Sequence, residues 1–231
     1  MPLTLALDTS ADVCAAALFR DGACLGARRR DMTRGHAEAL VPMVQELAAA
    51  AGVALVEIDI VGVTKGPGSF TGLRTGLAAA RGFALAAGAV AVGVSSLDAV
   101  AQGAVRTCRP AGPVLCVLET RRTDFFAQLF DAAGGALTAP AVLDAAGVFA
   151  LTGGLTPLLA GNAVQRLLVG HAGDSGRFGR VPGDGCPDPE DIAAIAEAIL
   201  NKEGLASDTL SPLYLRAPEA KLPVNGGRLK P

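Results

Sequence analysis

The chain opens with three short apolar segments that are separated by turn residues. They predict strands over residues 3–7, 13–20 and 24–30, the last two joined by a turn at Asp21-Gly22. The first strand ends directly before a polar turn, Asp8-Thr9-Ser10. Three strands so close together predict an antiparallel sheet at the start of the chain.

Longer amphipathic segments follow and alternate with short apolar ones. Apolar side chains at helical spacing predict a helix over residues 35–51, ended by Gly52. Pro42 lies inside this pattern and predicts a bend or a later start of the helix. The pattern continues with strands at 58–64 and 90–94 and helices at 71–87 and 96–105, followed by a linker at 109–113.

The second half resembles the first at an offset of 111 residues. Leu7-Asp8-Thr9 corresponds to Leu118-Glu119-Thr120, and further identities follow without a gap. Either two similar amphipathic hairpins arose by chance or the chain contains an internal duplication. The duplication predicts an α/β protein with lobes at 1–108 and 109–216, each of which opens with a strand, an acidic turn and two more antiparallel strands. In the second lobe, local patterns predict a strand at 157–160 and helices at 163–169 and 190–202. Residues 217–231 are predicted to form a flexible tail.

Composition narrows the functional classes. Of 231 residues, 51% are hydrophobic and 18% charged, with a net charge of −2, which argues against a protein that holds nucleic acid by electrostatics alone. The five cysteines contain no C-x-x-C pair and are expected to be buried thiols in a reducing compartment. The N-terminus does not resemble a signal peptide, and charge and glycine interrupt the longest apolar stretch, 77–94. We therefore expect a cytoplasmic protein without a membrane span.

A glycine-rich turn between the strand at 58–64 and the next helix is the most informative motif. Backbone amides at this helix start can hold an anion, whereas the alternative is a tight turn that lets strand and helix pack closely. The spacing is neither that of a Walker A loop nor that of G-x-G-x-x-G. Ser69 is the expected N-cap, and Arg74 in the first turn predicts a carboxylate or phosphate partner. The signature loop comprises Gly66, Pro67, Gly68, Ser69, Phe70, Thr71 and Gly72.

Asp8-Thr9-Ser10 resembles the first phosphate-binding hairpin of the actin/Hsp70/sugar-kinase fold. In active members this turn carries glycine, so that backbone can approach the phosphate. No glycine follows here, nor in the equivalent hairpin after Glu119. We therefore expect a degenerate nucleotide site at Asp8, Thr9, Ser10 and Glu119.

The histidines and a run of arginines are two further candidates for functional residues. The chain has only two histidines, His36 and His171, and no H-x-x-x-H, so that no metal site is predicted. The run Arg28-Arg29-Arg30, with Arg34, either contacts phosphate or forms a solvated hairpin edge.

Several motifs resemble those of the TsaB (YeaZ) family of bacterial tRNA-modification proteins. They are the DTS turn, the segment at 36–47, GPGSFTGLR at 66–74, GVSSL at 93–97 and PLYLR at 212–216. The resemblance implies a two-lobed actin-like (ASKHA, ribonuclease H-like) fold and no catalysis by this chain on its own. It also implies a heterodimer with the paralogue TsaD, which transfers the threonylcarbamoyl group to N6 of adenosine 37 in tRNA, and that the ATPase TsaE joins the pair.

By the same resemblance, the chain itself needs no cofactor. ATP and Mg²⁺ belong to the complex, and the chain contacts tRNA only as part of the complex.

The helices at 35–51 and 71–87 carry more small apolar side chains than one face can bury. This predicts either a partner-facing surface or denser core packing. The expected interface residues are Arg34, His36, Glu38, Leu40, Val44, Leu73, Arg74, Leu77 and Arg81.

Two alternatives remain open. An ATP-dependent small-molecule kinase of the same fold would use Asp8 and Glu119 with Mg²⁺. A homodimer through the same helices is expected when TsaD is absent.

Overall fold

Two β-sheets organise the computed structural model, which describes residues 2–169, 177–203 and 210–216. The first sheet has the order β3-β2-β1-β4-β5, with β1 antiparallel to β2 and parallel to β4. Hydrophobic side chains on both faces bury β1 completely. The strands of this sheet are β1 (Leu3–Asp8), β2 (Val13–Arg20), β3 (Ala23–Asp31), β4 (Ile60–Gly66) and β5 (Val90–Ser95).

Helices cover both faces of the first sheet. On one face, α1 (His36–Ala51) and α2 (Phe70–Ala87) pack on alternate residues of β1, such as Leu5 and Leu7. On the other face lie α3 (Ser96–Cys108) and α6 (Pro189–Glu203). A short 3₁₀ helix, Leu55–Glu57, leads into β4.

The second sheet repeats the strand order of the first four strands. Its order is β8-β7-β6-β9, where β6 is antiparallel to β7 and parallel to β9. The offset of 111 residues maps β1 onto β6 residue for residue. The second hairpin is one residue tighter, because Asp8 pairs with Ala15 whereas Glu119 pairs with Phe125. The elements of this half are β6 (Val114–Glu119), β7 (Phe125–Phe130), β8 (Ala141–Leu143), α4 (Ala145–Ala150), β9 (Leu158–Ala160) and α5 (Val164–Val169).

The predicted fold is confirmed: a mixed α/β chain with two sheets of the same strand order. The division at residues 108 and 109 stays a prediction, and it places α6 in the second lobe. In the structure α6 packs against β1, β4 and β5 of the first sheet, where Ile192 and Ala196 join its core. The predicted tail 217–231 and His171 lie outside the described residues.

Some element predictions needed correction. The helix α1 runs without interruption from His36 through Pro42 to Ala51, so that the prediction of a later start is wrong. Pro42 is exposed, so that water can hydrate the Glu38 carbonyl, which receives no amide from proline. The sequence patterns did not predict α4, and they gave no bounds for β8.

Two further expectations concern the cysteines and the membrane. All five cysteines are free; Cys14 and Cys116 are buried as expected, whereas Cys24 is exposed. Among the residues that the structure describes, no helix combines the length and the apolar character needed to cross a membrane. The cytoplasmic location stays a prediction.

Candidate functional site

A cleft of about 670 Å³ lies between the two lobes. The turn after β1, the turn after β6, the start of α2 and the last described residues of the chain all line this interlobe cleft. The tertiary structure thus brings together the two predicted phosphate hairpins and the signature loop. The polar and charged residues that line the cleft include Ser10, Asp12, Glu119, Arg74, Arg121 and Arg216.

The signature loop is in direct backbone contact with the turn after β1. A Cβ at Gly72 would overlap the carbonyl oxygen of Thr9, and one at Gly68 would overlap that of Ser10. The Thr9 hydroxyl donates to the Gly72 carbonyl (2.7 Å), and the Ser69 amide donates to the Ser10 carbonyl (2.7 Å). The glycines therefore serve close packing, as in the second interpretation of the motif, but their partner is the Asp8-Thr9-Ser10 turn.

The start of α2 agrees with the sequence in one respect and differs in another. Ser69 is the N-cap, and its hydroxyl accepts from the Gly72 amide at 3.3 Å. Arg74 has a different partner from the predicted carboxylate or phosphate: its guanidinium carbon lies 3.8 Å from the centre of the Phe70 ring, and its Nε donates to the Tyr214 hydroxyl at 3.1 Å. The Phe70 and Tyr214 rings stack at 5.6 Å.

Asp8 is fully buried and does not line the cleft. Its Oδ1 accepts from the Ser10 amide (3.0 Å) and from the Thr64 hydroxyl (2.7 Å), whereas Oδ2 has no hydrogen-bond partner among the described residues. Burial raises the pKa of this carboxyl, and the hydrogen bonds from Ser10 and Thr64 oppose the rise. The side chain thus fixes the turn after β1.

Glu119, its counterpart in the second lobe, is neutralised by Arg166. The Arg166 Nε donates to Glu119 Oε2 at 3.0 Å, and a second guanidinium nitrogen donates to the Asp124 carbonyl at 2.8 Å. The guanidinium carbon also lies 3.9 Å from the centre of the Phe125 ring. An arginine held on three sides in this way is a structural partner of Glu119.

These residues do not fit ATP with Mg²⁺, the ligand that the actin-like fold implies. A metal-bound phosphate needs accessible carboxylates and space for its oxygens. Here Asp8 is buried, Arg166 neutralises Glu119, and the Ser10 backbone occupies the space beside Gly68. Across the described ranges, no three His, Cys, Asp or Glu side chains form a group that could hold a metal ion.

The last described segment, Leu210–Arg216, ties the two lobes together, and we call it the C-terminal strap. The Leu213 amide donates to the Lys65 carbonyl at 2.7 Å, and the Arg81 guanidinium donates to the Leu210 carbonyl at 3.1 Å. At its other end, Arg216 forms an ion pair with Asp124 in the second hairpin. The sequence offered PLYLR as a family motif only, with no sign of these contacts.

A second ion pair, between Asp12 and Arg121, joins the two hairpins directly. Arg121 has φ 60, in the left-handed region, which is uncommon for a residue other than glycine. Sequence patterns do not reveal such a pair, because its members are 109 residues apart.

The helices α1 and α2 form a shallow groove on the outside of the first lobe. This α1–α2 groove has a volume of about 580 Å³, and Ala37, Val41, Phe70 and Ala78 line it with exposed side chains. Phe70 is 55% exposed, a large fraction for an aromatic ring. Because Phe70 and Arg74 line the cleft as well, the groove and the interlobe cleft are adjacent.

Several predicted interface residues are buried. The prediction of a surface position is wrong for four leucines and valines, which are at most 1% exposed and belong to the core: Leu40, Val44, Leu73 and Leu77. They face the sheet because the broad apolar stripe of each helix is its core face. His36 is also buried, and its Nε2 has no hydrogen-bond partner among the described residues. The exposed members of the set are Arg34, Glu38, Arg74 and Arg81.

Comparison with known proteins finds similarity to proteins that are described as acting in tRNA modification. The family model described as "TsaD: tRNA N6-adenosine threonylcarbamoyltransferase" matches residues 29–163. The tRNA threonylcarbamoyladenosine biosynthesis protein TsaB of Escherichia coli is 38% identical over 122 residues, 53% of this chain and 52% of that protein. TsaB of Haemophilus influenzae is 34% identical, over 54% of this chain and 52% of that protein. The chain thus spans about half the length of these two TsaB relatives.

Longer matches come from proteins without an assigned activity and from solved structures. An uncharacterized protein of Mycobacterium tuberculosis is 36% identical over 94% of this chain and 93% of its own length. The structure described as YeaZ from Pseudomonas aeruginosa has a TM-score of 0.72 at 27% identity and covers 93% of this chain and 100% of that one. A component of (R)-2-hydroxyglutaryl-CoA dehydratase from Acidaminococcus fermentans, at 12% identity and a TM-score of 0.55 over 86% of this chain and 98% of that one, shares the fold alone.

Proposed function

Because the chain belongs to the TsaB (YeaZ) family, we propose that it is a non-catalytic subunit in the biosynthesis of threonylcarbamoyladenosine in tRNA. In this role it binds TsaD, and TsaD transfers the threonylcarbamoyl group to N6 of adenosine 37. The chain holds no cofactor of its own, and ATP and Mg²⁺ belong to the complex.

One observation supports the non-catalytic role: in the two hairpins that bind phosphate in other proteins of this fold, the carboxylates are buried or paired with other residues of the chain. Asp8 is buried, and Glu119 is paired with Arg166. Ion pairs between Asp12 and Arg121 and between Asp124 and Arg216 connect the elements around the cleft. A kinase or ATPase must open and close around its nucleotide, whereas these contacts favour a fixed arrangement of the lobes.

The α1–α2 groove is the surface that we assign to TsaD. Its alanines, Ala37 and Ala78, permit the close approach of helices from a partner, and the exposed side chains of Val41 and Phe70 offer apolar area to bury. Of the exposed members of the predicted interface, Arg74 lines the groove. The same groove allows a homodimer when TsaD is absent, and TsaE joins the heterodimer.

Co-purification of the chain with TsaD from the same organism tests this assignment. Ala78→Glu places a charge in the groove and is expected to abolish co-purification while the circular dichroism spectrum stays unchanged. Ala198→Glu is the matched control, because Ala198 is an exposed helical alanine on α6, on the opposite face of the first sheet. Equal recovery of TsaD with both variants would remove the groove from the proposal.

A transfer assay with each component left out in turn tests the non-catalytic role. We expect no transfer to tRNA by the isolated chain and full transfer with TsaD, TsaE and the enzyme that supplies threonylcarbamoyl-adenylate. Calorimetry with ATP and Mg²⁺ tests the kinase alternative. A micromolar, Mg²⁺-dependent affinity of the isolated chain would refute the proposed role.

A further inference from the structure

One edge of the first sheet, unpaired among the residues that the structure describes, carries a concentration of positive charge. This edge is β3, which is exposed along nearly its whole length and contains Arg28, Arg29 and Arg30. Arg34 follows just before α1 and is exposed as well. In a chain with a net charge of −2, four arginines within seven residues form a marked local excess.

The two faces of β3 differ in how this charge is compensated. Arg29 points to the face where it meets acidic partners: its Nε lies 3.6 Å from Asp31 Oδ1, and its guanidinium pairs with Asp184. Alternate residues of a strand lie on opposite faces, so that Arg28 and Arg30 share the other face. That face is the one that α1 covers, because Arg28 is paired with Ala16 and Arg30 with Cys14 of the α1-side core.

The arginines on the α1 side lack acidic partners. Among the described residues, no carboxylate lies within 4.0 Å of the guanidinium nitrogens of Arg28, Arg30 or Arg34. Arg28 donates to the carbonyl of its neighbour Ala27, at 3.0 Å. We call these three residues the arginine edge. All three guanidinium groups are exposed and can receive an external anion.

We propose that the arginine edge contacts the phosphate backbone of tRNA while the chain is part of its complex. Guanidinium groups bind phosphate with two parallel hydrogen bonds and release counterions, which gives affinity without sequence selection. Along the strand, Arg28 and Arg30 are about 6.7 Å apart, twice the rise per residue, so that they can reach different phosphates of one strand. This inference rests on the proposed function, because that function supplies tRNA as the polyanion that meets this surface.

The competing explanation is protection of the sheet. Charged side chains on an edge strand prevent pairing with another sheet, and β3 has a free edge. This explanation predicts self-association when the charges are removed, and no change in RNA binding.

The test compares tRNA affinity of the complex with TsaD, measured from 50 to 200 mM salt, for three forms of the chain. The triple variant Arg28→Gln, Arg30→Gln, Arg34→Gln removes the arginine edge, and Arg29→Gln is the matched control on the other face. We expect the triple variant to reduce the slope of log K against log salt by roughly 2, at about 0.7–0.9 per lost phosphate contact, and to weaken binding roughly tenfold. The Arg29 variant should leave the slope unchanged.

An unchanged slope and affinity for the triple variant would overturn the proposal. If light scattering shows that the triple variant self-associates while its RNA binding is unaltered, the proposal is overturned and protection of the sheet edge explains the charges. The same variants are also measured as isolated chains with tRNA at low salt, so that a failure of TsaD binding is distinguishable. In one outcome the wild-type chain does not bind TsaD, and the triple variant binds RNA more weakly than the wild type at low salt. This outcome would support the arginine edge as an RNA-binding surface and refute the proposed function.

Discussion

Gly72 and Thr9 meet without space for a single carbon atom between them. A Cβ on residue 72 would overlap the Thr9 carbonyl oxygen, and the Thr9 hydroxyl donates to the Gly72 carbonyl at 2.7 Å. This contact joins the first turn of α2 to the turn after β1. The most characteristic motif of the sequence is thereby explained by packing between two backbone segments.

Replacement of Gly72 by alanine is expected to destabilise the fold. The added methyl group must displace the Thr9 carbonyl, and overpacking of this kind costs about 1–3 kcal/mol. Urea denaturation measures the change in the free energy of unfolding. A cost below roughly 0.5 kcal/mol would show that the turn after β1 moves freely.

Gly82 in the same helix provides the opposite prediction. Nothing lies within 4 Å of a Cβ at this position, and the residue is exposed. Gly82→Ala should therefore stabilise the protein by about 0.5–1 kcal/mol, because alanine loses less backbone entropy in a helix. The same denaturation experiment checks it, and a loss of stability would contradict the helical environment that the structure gives to Gly82.

Leu77 lies on the core face of α2, and Leu85 lies on its exposed face. Leu77 is 1% exposed and Leu85 is 87% exposed. Leu77→Ala should cost about 2–5 kcal/mol, since it leaves a cavity against the first sheet. Leu85→Ala should change stability by less than about 0.5 kcal/mol. Thermal unfolding of the two variants gives the comparison, and equal effects would contradict the orientation of α2.

The buried carboxyl of Asp8 should make stability fall with rising pH. Burial raises the pKa of Asp8 in the folded state, so that the folded protein binds more protons than the unfolded chain between the ordinary pKa of 3.8 and the raised pKa. The free energy of unfolding therefore decreases as pH rises through this window. Asp8→Asn removes this contribution from the pH profile.

Asp21→Asn is the control for this profile, because Asp21 is exposed and adopts φ 53 in a turn, a conformation that asparagine tolerates. Urea denaturation at several pH values, expressed as the difference between each variant and the wild type, isolates the Asp8 contribution. A difference for Asp8→Asn that does not vary with pH would contradict the raised pKa.

The ion pair between Arg216 and Asp124 should couple the C-terminal strap to the second lobe. The Thr120 hydroxyl also donates to Asp124, at 2.7 Å, which orients the carboxylate. A double-mutant cycle with Arg216→Gln and Asp124→Asn should give a coupling energy of about 0.5–1 kcal/mol, because both side chains are partly exposed. A coupling energy of zero would mean that this ion pair does not hold the strap to the second lobe.

Local sequence patterns predicted most of the elements correctly. Strand β2 has its predicted bounds, Ser69 caps α2, and Gly52 ends α1 in a left-handed conformation. These features depend on side-chain periodicity and on residues next to one another in the chain. The repeat at an offset of 111 residues also predicted the second sheet, because two copies of one pattern fold in the same way.

The sequence therefore determined the strand and helix pattern, the duplicated sheet order and the family motifs. Only the tertiary structure decided what those motifs do. It paired Glu119 with Arg166 and Arg74 with Tyr214, residues that are 47 and 140 positions apart. It also buried Leu40 and Leu77 where an exposed surface was expected. The physical reason is that the apolar stripe of a helix has the same sequence pattern whether it packs on its own sheet or on a partner. Charged side chains, in turn, pair according to their distance in space and not their separation in the sequence.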